Sequence, residues 1–553
     1  MSRLLLRPRA ADDATMPSPG DASIPGSVAN LMGEAWPALL TPAKAAHASG
    51  SPLLDRAAAA ALIGRLNAHL PPPPPEARYI VAGQQAGLLT GPLYTFLKAV
   101  TAIRLAGELE AAGGAPVLPL FWIASEDHDV LEVNRVTIQG RRFVHEYAGP
   151  LSSGAVPQVA EIDIREARDP LLAFLREALP PTEFTAAILE LVAAADFASY
   201  ATAFRDLLRG LFSRWPLRVV DPLALRPLTA PVLARLAERA SEWPERLAAG
   251  AADLSRGGLK APLAAARIYE VGAGRRAPFE IDTPEAAELI RRAPERFSAG
   301  AALRPICQDA VLPVLATVAG PTELAYLRQI EPLYPLADAR PSLRHPRISA
   351  TFLTPALARA AARAGLEPER VLAVSAWIAA GGAAAEDPGG RDDADPSALE
   401  IRERARALLE EIDRRRPDPS PRWFRRGREA IASGVERILA ELAEERRARR
   451  GRDRANLEKL AAGVWPEGGM QERAVNVFQF VNLFGPEFVD RAVESLDPWD
   501  RRHQVVTIEA RGEGGAPAEP GAQGRPGRKA RGAPDPSGPD PGGSAAAGDE
   551  PRP

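Results

Sequence analysis

Residues 78–92 read Arg78-Tyr-Ile-Val-Ala-Gly83, then Gln84-Gln-Ala-Gly-Leu-Leu-Thr-Gly91, then Pro92. The first part is a short apolar run ending in glycine, the pattern of a buried strand. The second is a glycine-bearing loop. The third opens a helix, because proline suits a first helical turn that does not need its N–H. Leu93, Leu97, Val100, Ile103 and Leu105 carry the helix to about Ala112, and Gly113-Gly114 stops it. Pro116-Val-Leu-Pro-Leu-Phe-Trp-Ile-Ala124 is the next apolar run. Strand, loop, helix and strand have the length that a right-handed βαβ crossover requires.

The pattern resumes downstream. Leu217-Arg-Val-Val-Asp-Pro222 and Val311-Leu-Pro-Val-Leu-Ala-Thr-Val-Ala-Gly320 read as further strands, the second followed by a helix from Pro321-Thr322-Glu323. Helical stretches at 183–213, 228–250 and 284–293 lie between them. The expected fold is α/β, a doubly wound parallel sheet spanning 25–377, with helical insertions at about 150–215 and 228–300. Pro71 to Pro75 is a polyproline II spacer after a helical segment at 54–70.

The C-terminal part has a different texture. Residues 378–397 are mostly Gly, Ala, Asp and Pro and read as a flexible loop. Ile401, Ala405, Leu408 and Ile412 step at heptad spacing, as do Ile431, Val435, Ile438 and Leu442, with prolines 417, 419 and 421 between them. This predicts an antiparallel helical hairpin or coiled coil over 398–462, and a segment at 463–511 that returns to the core. Residues 512–553 contain no Val, Ile, Leu, Met, Phe, Trp, Tyr or Cys, so nothing there offsets chain entropy and disorder is expected. Residues 1–24 read as a flexible N-terminus.

Composition bounds the function. With 553 residues, 46% apolar and 25% charged, the chain has material for several globular units and falls in the soluble range. A net charge of −3 argues against a generally basic nucleic-acid binder. The N-terminal leucines are too few for a secretion signal, and no apolar run has membrane-spanning length. A cytoplasmic protein without nucleic-acid or membrane partners is expected. Cys307 is the single cysteine, which excludes an internal disulfide and a cysteine-rich metal site. A buried packing role for it is stronger than a nucleophilic one.

Three places can carry chemistry. At 83–98, Gly83, Gly87 and Gly91 permit close backbone approach and Gln84 and Gln85 add polar groups. A helix N-terminus at Thr90-Gly91-Pro92 offers an anion site, toward which Lys98 can reach, sharing a face with Tyr94. The competing reading is a structural βα turn. At Ser125-Glu126-Asp127-His128-Asp129, ionisable groups follow a strand end, where open α/β sheets bind ligands. His128 between two aspartates suits a general base, and the carboxylates suit a substrate ammonium. A metal site is a third option, though no further His or Cys stands at ligand spacing, and a charged surface turn is a fourth. At 303–326, Thr322 and Glu323 mark a second helix N-terminus, and Arg304 and Arg347 suit a carboxylate or phosphate.

Taken together these blocks resemble one family. Val81 to Thr95 with Lys98, Phe121 to Asp129 with Glu132 and Asn134, and Leu303-Arg-Pro-Ile with Gln308-Asp309 and Leu312-Pro313 are similar to signatures of the bacillithiol biosynthesis cysteine-adding enzyme. So are Gly320-Pro-Thr-Glu323 with Tyr326, and Gln471-Glu472-Arg473 through Asn482 to His503. The likeness runs in order over about 25–508. It implies a Rossmann-like core with connecting insertions and a coiled coil that makes a homodimer. It also implies amide-bond formation between cysteine and glucosaminyl malate.

Chemistry suggests the roles. The cysteine carboxylate needs activation, for which ATP or ADP binding, with magnesium if ATP is used, is an expectation, its phosphates at 90–98; the cofactor itself stays open. Asp127, His128 or Asp129 would be the base, and Arg304 or Arg347 would hold malyl carboxylates. Two other readings stand beside this one. One is a nucleotide-binding scaffold working through its coiled coil, which would not need the ionised run at 126–129. The other is a nucleotidyl-transferring enzyme acting on a different small acid.

Overall fold

The computed structural model describes residues 3–10, 51–113, 116–149, 156–272, 274–281, 283, 285–373, 375, 396–415 and 421–511. Its strands are β1 (Arg3–Ala10), β2 (Arg78–Gln84), β3 (Val117–Ile123), β4 (Arg135–Ile138), β5 (Arg141–Val144), β6 (Arg218–Val220), β7 (Ile268–Gly272), β8 (Arg275–Pro278), β9 (Phe297–Ala299), β10 (Val314–Ala319), β11 (Leu343–Pro346), β12 (Ala350–Leu353) and β13 (Gln504–Arg511).

The central sheet has the order β11-β10-β2-β3-β6, and every neighbouring pair is parallel. The chain moves outward through β2, β3 and β6, then crosses back to place β10 and β11 on the other side of β2. Strand order therefore reverses between β2 and β10, the switch point of a doubly wound sheet. Helices cover both faces, so these strands are apolar on both sides rather than alternating. Ile80, Ala82, Phe121 and Ile123 pack into one layer with the Leu93–Gly113 helix. Tyr79, Val81, Leu120 and Trp122 point the opposite way, toward helices Arg226–Glu238 and Arg304–Val311.

Several elements differ from the sequence expectation. Residues 3–10, read as part of a flexible terminus, form β1, which pairs antiparallel with β13 from Arg3↔Arg511 to Ala10↔Gln504. Leu4 and Leu6 alternate into the core. A partner about 500 residues away in sequence leaves no local signal. Residues 11–24 lie outside the described residues. The insertion at 228–300 is not all helical, since β7 pairs antiparallel with β8 and with β9. The apolar run at 311–320 is divided, because Val311 closes the Arg304–Val311 helix and β10 begins at Val314. His345 is buried in β11.

Helices Pro396–Arg414 and Arg422–Val464 form the hairpin. Arg402 Nε to Glu436 Oε2 at 3.3 Å and Arg428 Nε to both Asp413 carboxylate oxygens at 2.9 Å set them antiparallel. Leu460 and Val464 at its base pack on Leu357. Most of the loop expected at 378–397, and all of the tail at 512–553, lie outside the described residues.

The loop after β2 is the most constrained turn. Leu89, Thr90 and Gly91 all adopt positive φ, at 49°, 68° and 75°. For two non-glycine residues in succession this is strained and needs external support. Asn476 supplies it, donating from Nδ2 to Leu89 O and to Gly91 O, each at 2.7 Å. Gly87 makes room, since a Cβ there would stand 3.0 Å from Gly91 Cα. Replacing Asn476 with Ala removes both bonds and strands two buried carbonyls. Urea unfolding is expected to show a loss of about 2–3 kcal/mol; a loss under about 0.5 kcal/mol would mean that the loop holds itself.

Candidate active site

A cavity of about 540 Å3 opens at the C-terminal ends of the central strands. Gly83 and Gln84 of β2, Ala124 after β3 and Gly320 after β10 form its floor. This is the crevice that the reversal of strand order creates.

The 125–129 segment supplies one wall. Ser125 Oγ donates to Asp221 Oδ1 at 2.6 Å, fixing the turn. Glu126 is buried against Arg226, whose Nε is 2.9 Å from Glu126 Oε1 and whose Nη2 donates to Gln158 Oε1 at 2.5 Å. Burial pushes the Glu126 carboxyl upward and Arg226 opposes it. Asp127 stays half-buried and open to the cavity. Its Oδ2 accepts from Gln85 Nε2 at 2.9 Å and its Oδ1 from the His128 N–H at 2.7 Å. His128 lines the cavity, and its Nδ1 lies 2.9 Å from Arg276 Nη1. Burial first, and Arg276 second, hold the imidazole below its ordinary range. Asp129 caps the short Val130–Val133 helix through Glu132 N at 3.2 Å and does not line the cavity. Glu132 does line it, and its carboxyl is raised chiefly by burial.

The 83–98 segment differs more from expectation. Gln84, Gln85, Tyr94 and Lys98 line the cavity, but Gly87, Thr90 and Gly91 do not. The N-terminus of the Leu93–Gly113 helix is directed elsewhere, with Leu93 N donating to Val475 O at 2.8 Å. Lys98 is buried and committed, its Nζ bonding Gly83 O and Gln84 Oε1 at 2.7 Å each and Glu323 Oε2 at 2.6 Å. Burial lowers its pKa, and Glu323 opposes the shift. The donors read from the sequence as a phosphate cradle are thus used to build the loop.

A further part of the lining comes from 304–326. Among the described residues Arg304 reaches only neutral partners, Gln308 Oε1 at 3.4 Å and Tyr326 Oη at 3.3 Å, and stands 6.0 Å from the Trp122 ring. Gln308 itself is behind the wall, between Asp309 and Thr317. Gly320, Thr322, Glu323 and Tyr326 all face the cavity. Glu323 also accepts from Gly320 N at 2.8 Å, closing the first turn of Pro321–Gln329. Burial pushes the Tyr94 and Tyr326 phenols up to about 12, so both stay protonated donors.

Arg347 lines the cavity but is already paired, giving Glu472 two hydrogen bonds at 2.9 and 2.5 Å with both residues buried. Tyr94 lies 5.6 Å beneath its guanidinium. Of the two arginines read as partners for a carboxylate or phosphate, Arg347 is thus engaged by Glu472, while Arg304 has no carboxylate partner among the described residues. Arg473, next to Glu472, reaches the rim of the cavity. Asn134 lies away from the cavity and bonds His145 O at 3.1 Å. Cys307 is buried and its thiol is pushed up to about 12, a packing residue rather than a nucleophile.

Sequence reading missed Arg226, Tyr269, Arg276 and the cavity role of Arg473. Arg276 lies on β8, 148 residues from His128, and no spacing announces that contact. Glu472 and Arg473 stood within a quoted block, but their meeting with the cavity depends on the return of the C-terminal segment.

A Rossmann-like chain whose switch-point crevice gathers carboxylates, an imidazole and guanidinium groups belongs to the enzymes that act on small charged molecules. The match to the "Bacillithiol biosynthesis BshC, N-terminal Rossmann-like domain" covers residues 74–268 and 265–348, and that to the "BshC, C-terminal coiled-coil domain" covers 407–508. Curated relatives named "Putative cysteine ligase BshC" include one from Salinibacter ruber, 30% identical over 78% of this chain and 83% of the relative. One from Shouchella clausii is 31% identical over 78% and 84%, and one from Solibacter usitatus 28% over 81% and 89%. The chain belongs to the BshC family.

The Arg347–Glu472 pair gives a prediction. Glu472 is held at about 2, below the ordinary 4.5, by Arg347, which overcomes burial. A depressed carboxyl contributes stability above its unfolded value and loses it as pH falls toward the folded value. Glu472→Gln removes that term and leaves Arg347 buried without a counter-charge. At about pH 7 it is expected to cost about 3–5 kcal/mol in urea unfolding, with the gap to the parent narrowing below about pH 4. An unchanged gap across that range would show that Glu472 does not titrate with folding.

Proposed function

We propose that this chain joins cysteine to glucosaminyl malate through an amide bond, the last step of bacillithiol biosynthesis. It would work in the cytoplasm as a homodimer paired through the helical hairpin. Family membership supports the reaction class, and one feature of the cavity carries the substrate assignment. Asp127 and Glu132 line the cavity together with Arg304 and Arg473, neither of which is paired with a carboxylate among the described residues. An acceptor bearing both an amine and carboxylates matches that mixture of carboxylates and guanidiniums.

The reaction forms a C–N bond at the cysteine carboxyl carbon, and one carboxyl oxygen leaves with an activating group. The amine must be neutral to attack, so it first gives up a proton. Asp127 suits this task, since its carboxylate is fixed by Gln85 and the His128 N–H yet faces the cavity. Glu132, raised by burial, also lines the cavity. Arg304 and Arg473 would hold the malyl carboxylates. If the activator is a nucleoside triphosphate with magnesium, the helix start that lines the cavity, at Pro321 and Thr322, suits its phosphates better than the one at 90–92, which does not line it.

The decisive trial incubates purified protein with cysteine and glucosaminyl malate, with and without ATP and magnesium, and looks for the conjugate by mass spectrometry. A conjugate of the two supports the assignment, whereas a folded protein that makes none under either condition overturns it. In that assay Asp127→Asn is expected to lower the rate about 10²- to 10⁴-fold with an unchanged circular dichroism spectrum. Full activity would remove Asp127 from the role. Arg304→Gln is expected to raise KM for the malate-bearing substrate about tenfold or more, with a smaller change in kcat.

A further inference from the structure

We infer that Arg276 is a positioning residue that fixes His128 as a neutral imidazole with its proton on Nε2, so that His128 donates a hydrogen bond into the cavity instead of serving as the base. The division of labour between His128 and Asp127 rests on the ligase reading. The tautomer itself does not.

A guanidinium has N–H donors on every nitrogen and no acceptor. Arg276 Nη1 stands 2.9 Å from His128 Nδ1, so Nδ1 must be the accepting nitrogen. A ring that accepts at Nδ1 is neutral and carries its proton on Nε2. Protonation at Nδ1 would set two donors head to head.

Arg276 is not free to swing away. It is 5% exposed. Its Nε donates to Ser298 Oγ at 3.0 Å and its Nη2 to Ala299 O at 3.1 Å, both on β9. Its Cζ sits 3.8 Å over the Tyr269 ring of β7. The small sheet β8-β7-β9 thus holds one guanidinium against one imidazole. This gives the sheet a purpose that its place in the middle of an insertion does not suggest.

The groups that face His128 act in both directions. Asp127 Oδ1 lies 3.6 Å from Nδ1, and Asp129 follows in the chain; both favour an imidazolium. Tyr269 packs with ring centroids 5.9 Å apart, and together burial and Arg276 outweigh the carboxylates. The head-on N–H geometry adds a directional reason to the electrostatic one. A base needs a free lone pair toward its substrate. The Nδ1 lone pair is turned to Arg276 and Nε2 already holds its proton, which leaves Asp127 as the acceptor of the amine proton.

The test reads the ring directly. Full-length protein labelled with 15N-histidine gives the protonation of each ring nitrogen in long-range 1H–15N spectra, and the signal missing from His128→Gln identifies His128. The unaltered protein is expected to show Nδ1 bare and Nε2 protonated, with a midpoint below the ordinary 6.5. Arg276→Gln is expected to raise that midpoint by about one pH unit, which loss of a purely structural contact would not do. A proton on Nδ1, or a midpoint at or above 6.5 in the unaltered protein, overturns the inference even if the Arg276 variant fails to fold. In the ligation assay, glutamine can donate but cannot take a proton. His128→Gln is therefore expected to stay within about tenfold of the parent, and a loss of 10²-fold or more, about that of removing a base, overturns the donor role. Absence of ligation by the parent removes the ligase reading and leaves the spectroscopic result to decide the tautomer.

Discussion

A parallel sheet covered on both faces forces its ligand site to the one place where its covers part. β2 has β3 on one side and β10 on the other, and the connections leaving those strands run to opposite faces. Between them no helix can close the C-terminal edge, so a crevice is left open. Many of the buried charged groups of this chain are arranged around that gap. The insertions deliver β8 and the Arg226–Glu238 helix to it, and the C-terminal segment delivers Glu472 and Arg473.

Burial then sorts the charges. A charge removed from water must be paired or must shift its protonation. Glu126 is matched by Arg226, Lys98 by Glu323, and Arg347 by Glu472. These pairs are weak evidence for stability, because desolvation consumes much of the Coulomb gain. What they provide is position: each ties a strand-end loop to a distant part of the chain. The groups left without an opposite charge among the described residues, Asp127, Glu132, Arg276, Arg304 and Arg473, all line the cavity. That remainder, and not the whole list of ionisable residues, describes the ligand.

The sequence revealed what is local and periodic. β2, the Leu93–Gly113 helix and β3 followed from one apolar run, one glycine loop and one heptad-like stripe, because each depends on neighbours within about thirty residues. The 126–128 cluster was visible for the same reason, as ionised residues at a strand end. β1 was invisible since its partner is β13, and β7 to β9 were hidden because five- and three-residue strands carry too little pattern. Arg347, a candidate from the sequence, lines the cavity with its guanidinium engaged by Glu472. Its type and place were legible, whereas its pairing with Glu472 is a long-range fact.

The glycine loop shows why a motif is not yet a site. Thr90-Gly91-Pro92 has the composition of an anion-binding helix start, and by sequence it outranked Gly320-Pro321-Thr322. What separates the two is where the first turn points. The earlier helix spends its Leu93 N–H on Val475, while Asn476 occupies the carbonyls of the loop before it. The later helix begins at the end of β10, beside the reversal of strand order, and its first residues face the cavity. The strained backbone at 89–91 thus serves to turn the chain and to place Gln84, Gln85 and Lys98 at the edge of the crevice. Gln85 then carries that placement forward to Asp127 through a 2.9 Å bond, which connects the loop after β2 to the carboxylate proposed as the base.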